Sequence, residues 1–169
     1  MKTLLLLRHA KSSWKHDDIP DHDRPLKKRG KRDAPRMGQL LLEQELVPQL
    51  IISSTAKRAR KTAKKTAKAC SYAGEIVLKR GLYQAGPMGH IRILQEVADD
   101  YRRVMLVGHN PGLEVLLEVL TGESEWLPTA ALAQIELPVE TWAEVQEYIG
   151  GKLVNLWKPK DLKPQDKDA

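Results

Sequence analysis

Four consecutive leucines, Leu4 to Leu7, run without a break into Arg8-His9-Ala10-Lys11-Ser12. A run this apolar and this short reads as a buried strand. A buried strand that stops on Arg-His holds a guanidinium and an imidazole at the edge of a sheet, where ligands bind in open α/β folds. A guanidinium grips phosphate through two parallel hydrogen bonds, and an imidazole beside it can act as a nucleophile. The N-terminal pattern therefore points to an α/β chain and to phosphoryl transfer through histidine.

Further strand-like runs lie at 50–52, 76–78, 104–107, 131–137 and 153–156, after a first at 3–7. Helix-like stretches separate most of them, and this alternation predicts α/β layers around a largely parallel sheet. The spacing predicts helices over about 26–45, from Thr55 as N-cap, over 88–99, from Asn110 as cap with Pro111 at the first helical position, and over 140–148. Pro35 implies a kink in the first helix or a later start with Asp33 as cap. Ala59, Ala63, Ala67 and Cys70 form a stripe of small residues that would let the second helix sit close to the sheet. A chain of 169 residues fits one domain. We place that domain at 1–157 and expect a flexible tail, rich in Lys, Asp and Pro, at 158–169.

One cysteine, Cys70, excludes an internal disulfide framework and suits a reducing compartment. The apolar run at 4–7 is too short for a signal peptide, and no stretch approaches membrane-spanning length. A cytoplasmic protein with no membrane partner is the expectation. The net charge of +6 comes from clustered basic residues, at 27–32 and at 57–68. These fit an anionic partner, although solvated helix faces account for most of the lysines.

Three strand-to-loop junctions carry the unusual polar residues: Leu7-Arg8-His9, Ile52-Ser53-Ser54-Thr55 followed by Arg58, and Val107-Gly108-His109-Asn110-Pro111. If the strands are parallel, all three lie at one end of the sheet, and two open onto helix N-termini that favour an anion. A lone histidine at a strand end is usually structural, and a lone arginine in a first helical turn is usually solvated. Arg58 there opposes the helix dipole, and a bound phosphate would supply the reason for its placement. No carboxylate sits at these junctions, as a metal site for phosphate would usually require.

As a set, the segments Leu7 to Ala10, Ser53 to Ala63 and Val107 to Pro111 resemble the signatures of the histidine phosphatase superfamily. The 10–12 stretch, Asp21-His22-Asp23-Arg24-Pro25-Leu26 and Arg29-Gly30 are most similar to the phosphohistidine phosphatases of the SixA type. The resemblance implies a three-layer phosphoglycerate mutase-like fold. It implies His9 as the nucleophile, Arg8 and Arg58 as a phosphoryl clamp, His109 as a contact that stabilises the transition state, and Arg24 as a further phosphate ligand. Ala10, Thr55 and Lys61 depart from the common Gly, Pro and Gln, and none of these removes a catalytic group. The insertion that supplies a glutamate acid in mutases is missing, which argues against mutase activity. Asp21, ahead of Asp18 and Asp23, is the nearest replacement acid, although a solvated loop carboxylate should stay ionised.

The expected activity is hydrolysis of phosphohistidine, or of another phosphomonoester, through a phosphohistidine intermediate on His9. No cofactor is expected, and the partner is a phosphohistidine protein or a small phosphate ester. The alternative within this fold is a small-molecule phosphomonoesterase. A metal-dependent hydrolase using His16, Asp17, Asp18, Asp21, His22 and Asp23 is a weaker rival, because their spacing matches no ligand motif. A nucleic-acid-binding protein is weaker too, because neither basic cluster carries interleaved aromatics.

Overall fold

A computed structural model describes residues 1–15 and 17–162. The first strand, β1 (Lys2–Arg8), lies inside a six-stranded sheet. It is followed by helix α1 (Lys28–Glu43), strand β2 (Leu50–Ser53), helix α2 (Lys57–Ala69) and strand β3 (Ile76–Leu78). Helix α3 (Pro87–Gln95), strand β4 (Arg103–Gly108) and helix α4 (Gly112–Thr121) come next, and strands β5 (Leu132–Leu137) and β6 (Lys152–Trp157) close the sheet. The strand order is β3-β2-β4-β1-β5-β6. The pairs β2–β3, β2–β4 and β1–β4 are parallel, whereas β5 is antiparallel to both β1 and β6.

The leucine run explains why the sheet needs cover on both faces. Leu4 and Leu6 enter one apolar cluster with Leu116, Leu117 and Leu120 of α4. Leu5 and Leu7 enter the other with Met37 and Leu41 of α1 and Ala59 and Ala63 of α2. All four leucines have no exposed surface, and burying each contributes about 1.5–3 kcal/mol. The fold is thus three-layered α/β, with a largely parallel central sheet between helices. The small-residue stripe of α2 is buried as expected. Helix α1 approaches α2 closely at Gly38, where a Cβ would lie 2.4 Å from Thr66 O, and Thr66 Oγ1 donates to the carbonyl of Ala34 at 3.0 Å.

Several boundaries differ from expectation. Helix α1 runs through Pro35, and Asp33 is buried within it rather than capping it. Thr55 is not the cap of α2: that position is Ala56, whose N–H donates to Ser54 Oγ at 3.1 Å, while Thr55 Oγ1 pairs with His22. Helix α4 starts after Pro111, because the Asn110 amide donates to Glu114 and to Leu127 O instead of capping. Helix α3 ends at Gln95, and Asp99, beyond it, accepts from Lys2 and from the Trp142 N–H. The helix expected over 140–148 is only a 3₁₀ turn, Trp142–Glu144, closed by a Thr141/Glu144 capping box. One turn suffices there to bury both Trp142 and Val145. After Trp157 the chain forms another 3₁₀ turn, Pro159–Asp161, with Pro159 buried and Leu162 O accepting from Arg36 at 3.0 Å. Residues 158–162 therefore belong to the packed unit rather than to the expected tail; residues 163–169 lie outside the described residues.

Candidate active site

Parallel pairing of β1, β2 and β4 places the three polar junctions at one end of the sheet. Register aligns Arg8 with Gly108 and Ser53 with Val107, so His9, Ser54 and His109 follow their strands side by side. The His9 N–H donates to Gly108 O at 3.0 Å, and the Ser54 N–H donates to Val107 O at 3.0 Å. The junctions are thus stitched to one another by the backbone.

His9 is 7% exposed, and its Nδ1 lies 2.8 Å from Ala10 O. A carbonyl only accepts, so Nδ1 carries the proton and Nε2 presents its lone pair. The carbonyl is itself held, because the Ala10 N–H donates to Thr62 Oγ1, which donates to Arg58 O. Burial lowers the His9 pKa to about 3 against the Ala10 bond, helped by His109, Arg58 and Arg8. The ring is neutral at physiological pH, as a nucleophile requires. Gly30 secures the turn beyond it: a Cβ there would lie 2.2 Å from Lys11 O, so α1 can pack on this segment only through glycine.

The His109 ring centroid lies 5.2 Å from that of His9. Its Nε2 is 2.8 Å from Ser54 Oγ, and its buried Nδ1 has no partner. Burial, reinforced by Arg58 and opposed by Asp21, lowers its pKa to about 4. Arg8 is anchored through Nη1 to Leu127 O at 3.0 Å, and its buried Nε is unpaired. Arg58, second residue of α2 and 6% exposed, also leaves a buried Nε unpaired. Buried unpaired polar atoms are costly, and three residues at one sheet edge each hold one: the Nε–H donors of Arg8 and Arg58, and the Nδ1 of His109, a donor where Ser54 Oγ donates to Nε2. A phosphoryl group, with its several acceptor oxygens, would satisfy them.

Asp21 is the surprise of the site. Its carboxylate accepts from Arg58 Nη2 at 3.1 Å, from Arg24 Nε at 3.0 Å and from Tyr83 Oη at 2.5 Å, and its carbonyl accepts from Arg58 Nη1 at 2.7 Å. Burial pushes its pKa up, but the Tyr83 and Arg24 bonds and the Arg58 charge outweigh this and hold it at about 2. The Tyr83 hydroxyl and the two arginines, rather than solvation, hold this carboxyl below the ordinary carboxylate range. In this arrangement Asp21 is a carboxylate, not an acid. It also supplies the counter-charge for an arginine that opposes its helix dipole.

Arg24, 7% exposed, donates to Ser12 Oγ at 2.7 Å and to Asp21, and its guanidinium carbon lies 3.5 Å from the Trp14 ring centre. It thus joins the loop at 12–14 to the site through Asp21. The metal-ligand candidates do not gather: His22 pairs with Thr55 at 2.8 Å, and no group of three metal-binding side chains occurs among the described residues. His16 lies outside them.

Tyr83 is a site residue with no signal in the sequence. It sits edge-on to His109 with ring centroids 5.6 Å apart, and with Asp21 and Arg58 it lines an open cleft of about 470 Å³. The start of α4 also lines it, and a Cβ on Gly112 would lie 2.4 Å from Ala85 O. Glu114 was also missed. It accepts from Asn110 Nδ2 and from the Leu127 N–H, both at 2.8 Å, and so fixes the carbonyl that anchors Arg8. The four-residue spacing from Asn110 to Glu114, across the expected start of a helix, is the signal that points to it.

Such a fold and site define a phosphate-handling enzyme, and comparison with known proteins narrows the class. Residues 4–84 match the model of the histidine phosphatase superfamily (branch 1). An uncharacterised chloroplastic protein of Arabidopsis thaliana is 34% identical over 152 residues, which cover 85% of this chain and 70% of that protein. A solved structure from Agrobacterium tumefaciens, provisionally named phosphohistidine phosphatase SixA, is 29% identical with a TM-score of 0.80, covering 94% of this chain and 98% of that one. A protein histidine phosphatase SixA complexed with tungstate has a TM-score of 0.81 at 20% identity, over 95% of this chain and 99% of that one. The chain belongs to the histidine phosphatase superfamily. It is a phosphatase of that superfamily, with SixA proteins among its structural neighbours. No helix among the described residues is long and apolar enough to cross a membrane.

Proposed function

We propose that the protein hydrolyses phosphohistidine through a covalent intermediate on His9, with no metal. The observation that carries this reading is the His9 ring: neutral, with Nδ1 tied to Ala10 O and Nε2 free, beside unpaired nitrogens of Arg8, Arg58 and His109. Nε2 attacks phosphorus, and the P–N bond to the substrate histidine breaks. The substrate ring, protonated from solvent on its other nitrogen, departs as neutral imidazole. Water then attacks the phosphorylated His9, the P–Nε2 bond breaks, orthophosphate departs and His9 returns to its neutral form. Arg8 and Arg58 hold the equatorial oxygens, since phosphoryl transfer depends mainly on positioning and charge stabilisation. With Ser54 Oγ donating to His109 Nε2, the His109 Nδ1–H donates to the same group. Arg24 is the outer ligand, acting beside Asp21.

The choice of phosphohistidine over alkyl esters rests on Asp21. An alkoxide leaving group requires a proton donor. Asp21 is the one carboxylate among the residues described as lining the cleft, and it is held ionised by its partners. The substrate ring takes a proton on its second nitrogen near its ordinary pKa of about 6.5, so it departs as neutral imidazole without a buried acid. Cytoplasmic phosphotransfer proteins are the fitting substrates, and tungstate binding by a SixA protein of like fold agrees with an oxyanion site. The test is kcat/KM for a phosphohistidine protein, p-nitrophenyl phosphate, phosphoserine and a sugar phosphate. The first two should lead. Efficient hydrolysis of the last two would instead establish a small-molecule phosphomonoesterase.

A further inference from the structure

A second cleft, of about 320 Å³, lies away from His9 and is lined by Arg29, Arg32 and Arg36 of α1 together with Trp126, Thr129 and Lys160. Its position follows from topology. Helix α1 leaves from the end of β1 that bears His9, β5 starts there because it runs antiparallel to β1, and β6 ends there because it runs antiparallel to β5. The cleft therefore shares the sheet edge of the catalytic site, displaced toward β5 and β6. The two are separated by the 127–130 segment, whose Leu127 O anchors Arg8 and whose Ala130 N–H donates to Arg8 O and His9 O.

Among the described lining residues the cations are Arg29, Arg32, Arg36 and Lys160, and the carboxylate is Asp33. Asp33 is 5% exposed, with Arg29, Arg32 and Arg36 at 4.0, 3.9 and 3.7 Å. Arg29 also reaches Thr129 Oγ1 at 3.4 Å. Trp126 stands 59% exposed in the wall, with Lys158 and Lys160 ammonium groups 5.5 and 6.0 Å from its ring centre. A solvated helix face explains exposed arginines but not a concave basic surface with an exposed indole. Arginine and tryptophan are the residues that dominate protein recognition surfaces.

We propose that this cleft docks an acidic stretch of the phosphohistidine-bearing protein substrate, its carboxylates on Arg29, Arg32 and Lys160 and an apolar side chain on Trp126. The proposal rests on the phosphohistidine reading above. It favours a protein over a small anion because a protein that delivers a side chain to His9 must lie across this edge, whereas a ligand confined to the cleft would not reach the reaction.

The experiment uses two synthetic peptides phosphorylated on histidine with phosphoramidate, one flanked on both sides by Asp and Glu, the other by Asn and Gln. Each is assayed with wild type, with Arg32→Glu/Lys160→Glu and with Trp126→Ala, alongside p-nitrophenyl phosphate. The wild type should prefer the acidic peptide through KM by about ten-fold, since exposed charge pairs act mainly on encounter. The double variant should lose this preference and Trp126→Ala should raise KM for both peptides, while p-nitrophenyl phosphate kinetics stay unchanged in both. Equal wild-type KM values, or a preference that survives in the double variant, would overturn docking while leaving the phosphohistidine reading intact. Calorimetric binding of AMP that the double variant abolishes, without peptide discrimination, would make the cleft a nucleotide pocket and overturn it too. Turnover of p-nitrophenyl phosphate with neither peptide hydrolysed would overturn the phosphohistidine reading, and docking with it.

Discussion

His9 Nδ1 lies 2.8 Å from the carbonyl oxygen of its neighbour Ala10, and that bond alone decides which ring nitrogen can attack phosphorus. Substituting His9 with Ala removes the attacking nitrogen and leaves the backbone bonds at this junction in place. His9→Ala should show no turnover and no acid-labile phosphoenzyme when quenched with radiolabelled substrate. Retention of near wild-type activity would exclude His9 as nucleophile.

Arg8, Arg58 and His109 each contribute one buried nitrogen without a protein partner. Arg8→Ala, Arg58→Ala and His109→Ala should each lower kcat on the order of 100- to 1000-fold, the usual cost of losing one preorganised donor. Arg24→Ala should cost less, because its observed bonds run to Ser12, Ser13 and Asp21. An Arg58→Ala enzyme with normal kinetics would make Arg58 merely the partner of Asp21.

Asp21 touches both Arg58 and Arg24, so it acts through them. Asp21→Asn should therefore slow p-nitrophenyl phosphate and phosphohistidine turnover by similar factors, and phosphoserine by no more. A selective loss on phosphoserine would instead reveal a general acid.

The two imidazoles have pKa values near 3 and 4, below the ordinary 6.5. Ring resonances followed by NMR should show His9 and His109 neutral at pH 5.5. Linkage gives the sign for stability. Between pH 6.5 and 3 the unfolded chain binds protons that the folded site refuses. The contribution is therefore complete above pH 6.5 and lost as pH falls through 4 and 3. The midpoint of thermal unfolding should drop over that window, and His109→Gln should flatten the drop.

If the clamp alone neutralises phosphate, activity should survive excess EDTA, and vanadate should inhibit as a five-coordinate phosphorus mimic. Complete loss on chelation, restored by one divalent metal, would revive the metal-dependent hydrolase.

Much of this was written locally in the chain. The runs at 3–7, 50–52, 76–78, 104–107, 131–137 and 153–156 all lie in strands, or within one residue of one, because a continuous apolar run bounded by turn residues has few other uses. His9 and His109 stand out for the same reason, each just past the end of such a run, and Arg58 stands out because it opposes the dipole of the helix that follows one. Helix ends were less legible. Thr55 and Asn110 look like caps from their type, but their side chains are taken by His22, Glu114 and Leu127, partners that lie up to 33 positions away.

The sequence by itself determined α/β layers around a largely parallel sheet and basic junctions at one sheet edge, because strand period and junction chemistry are local properties. Only the tertiary structure decided what surrounds that site. Asp21 meets Arg58 and Tyr83 across 37 and 62 positions, and Glu114 reaches Arg8 through Leu127. Protonation states follow from such contacts, since burial and charge proximity are properties of space and not of order along the chain.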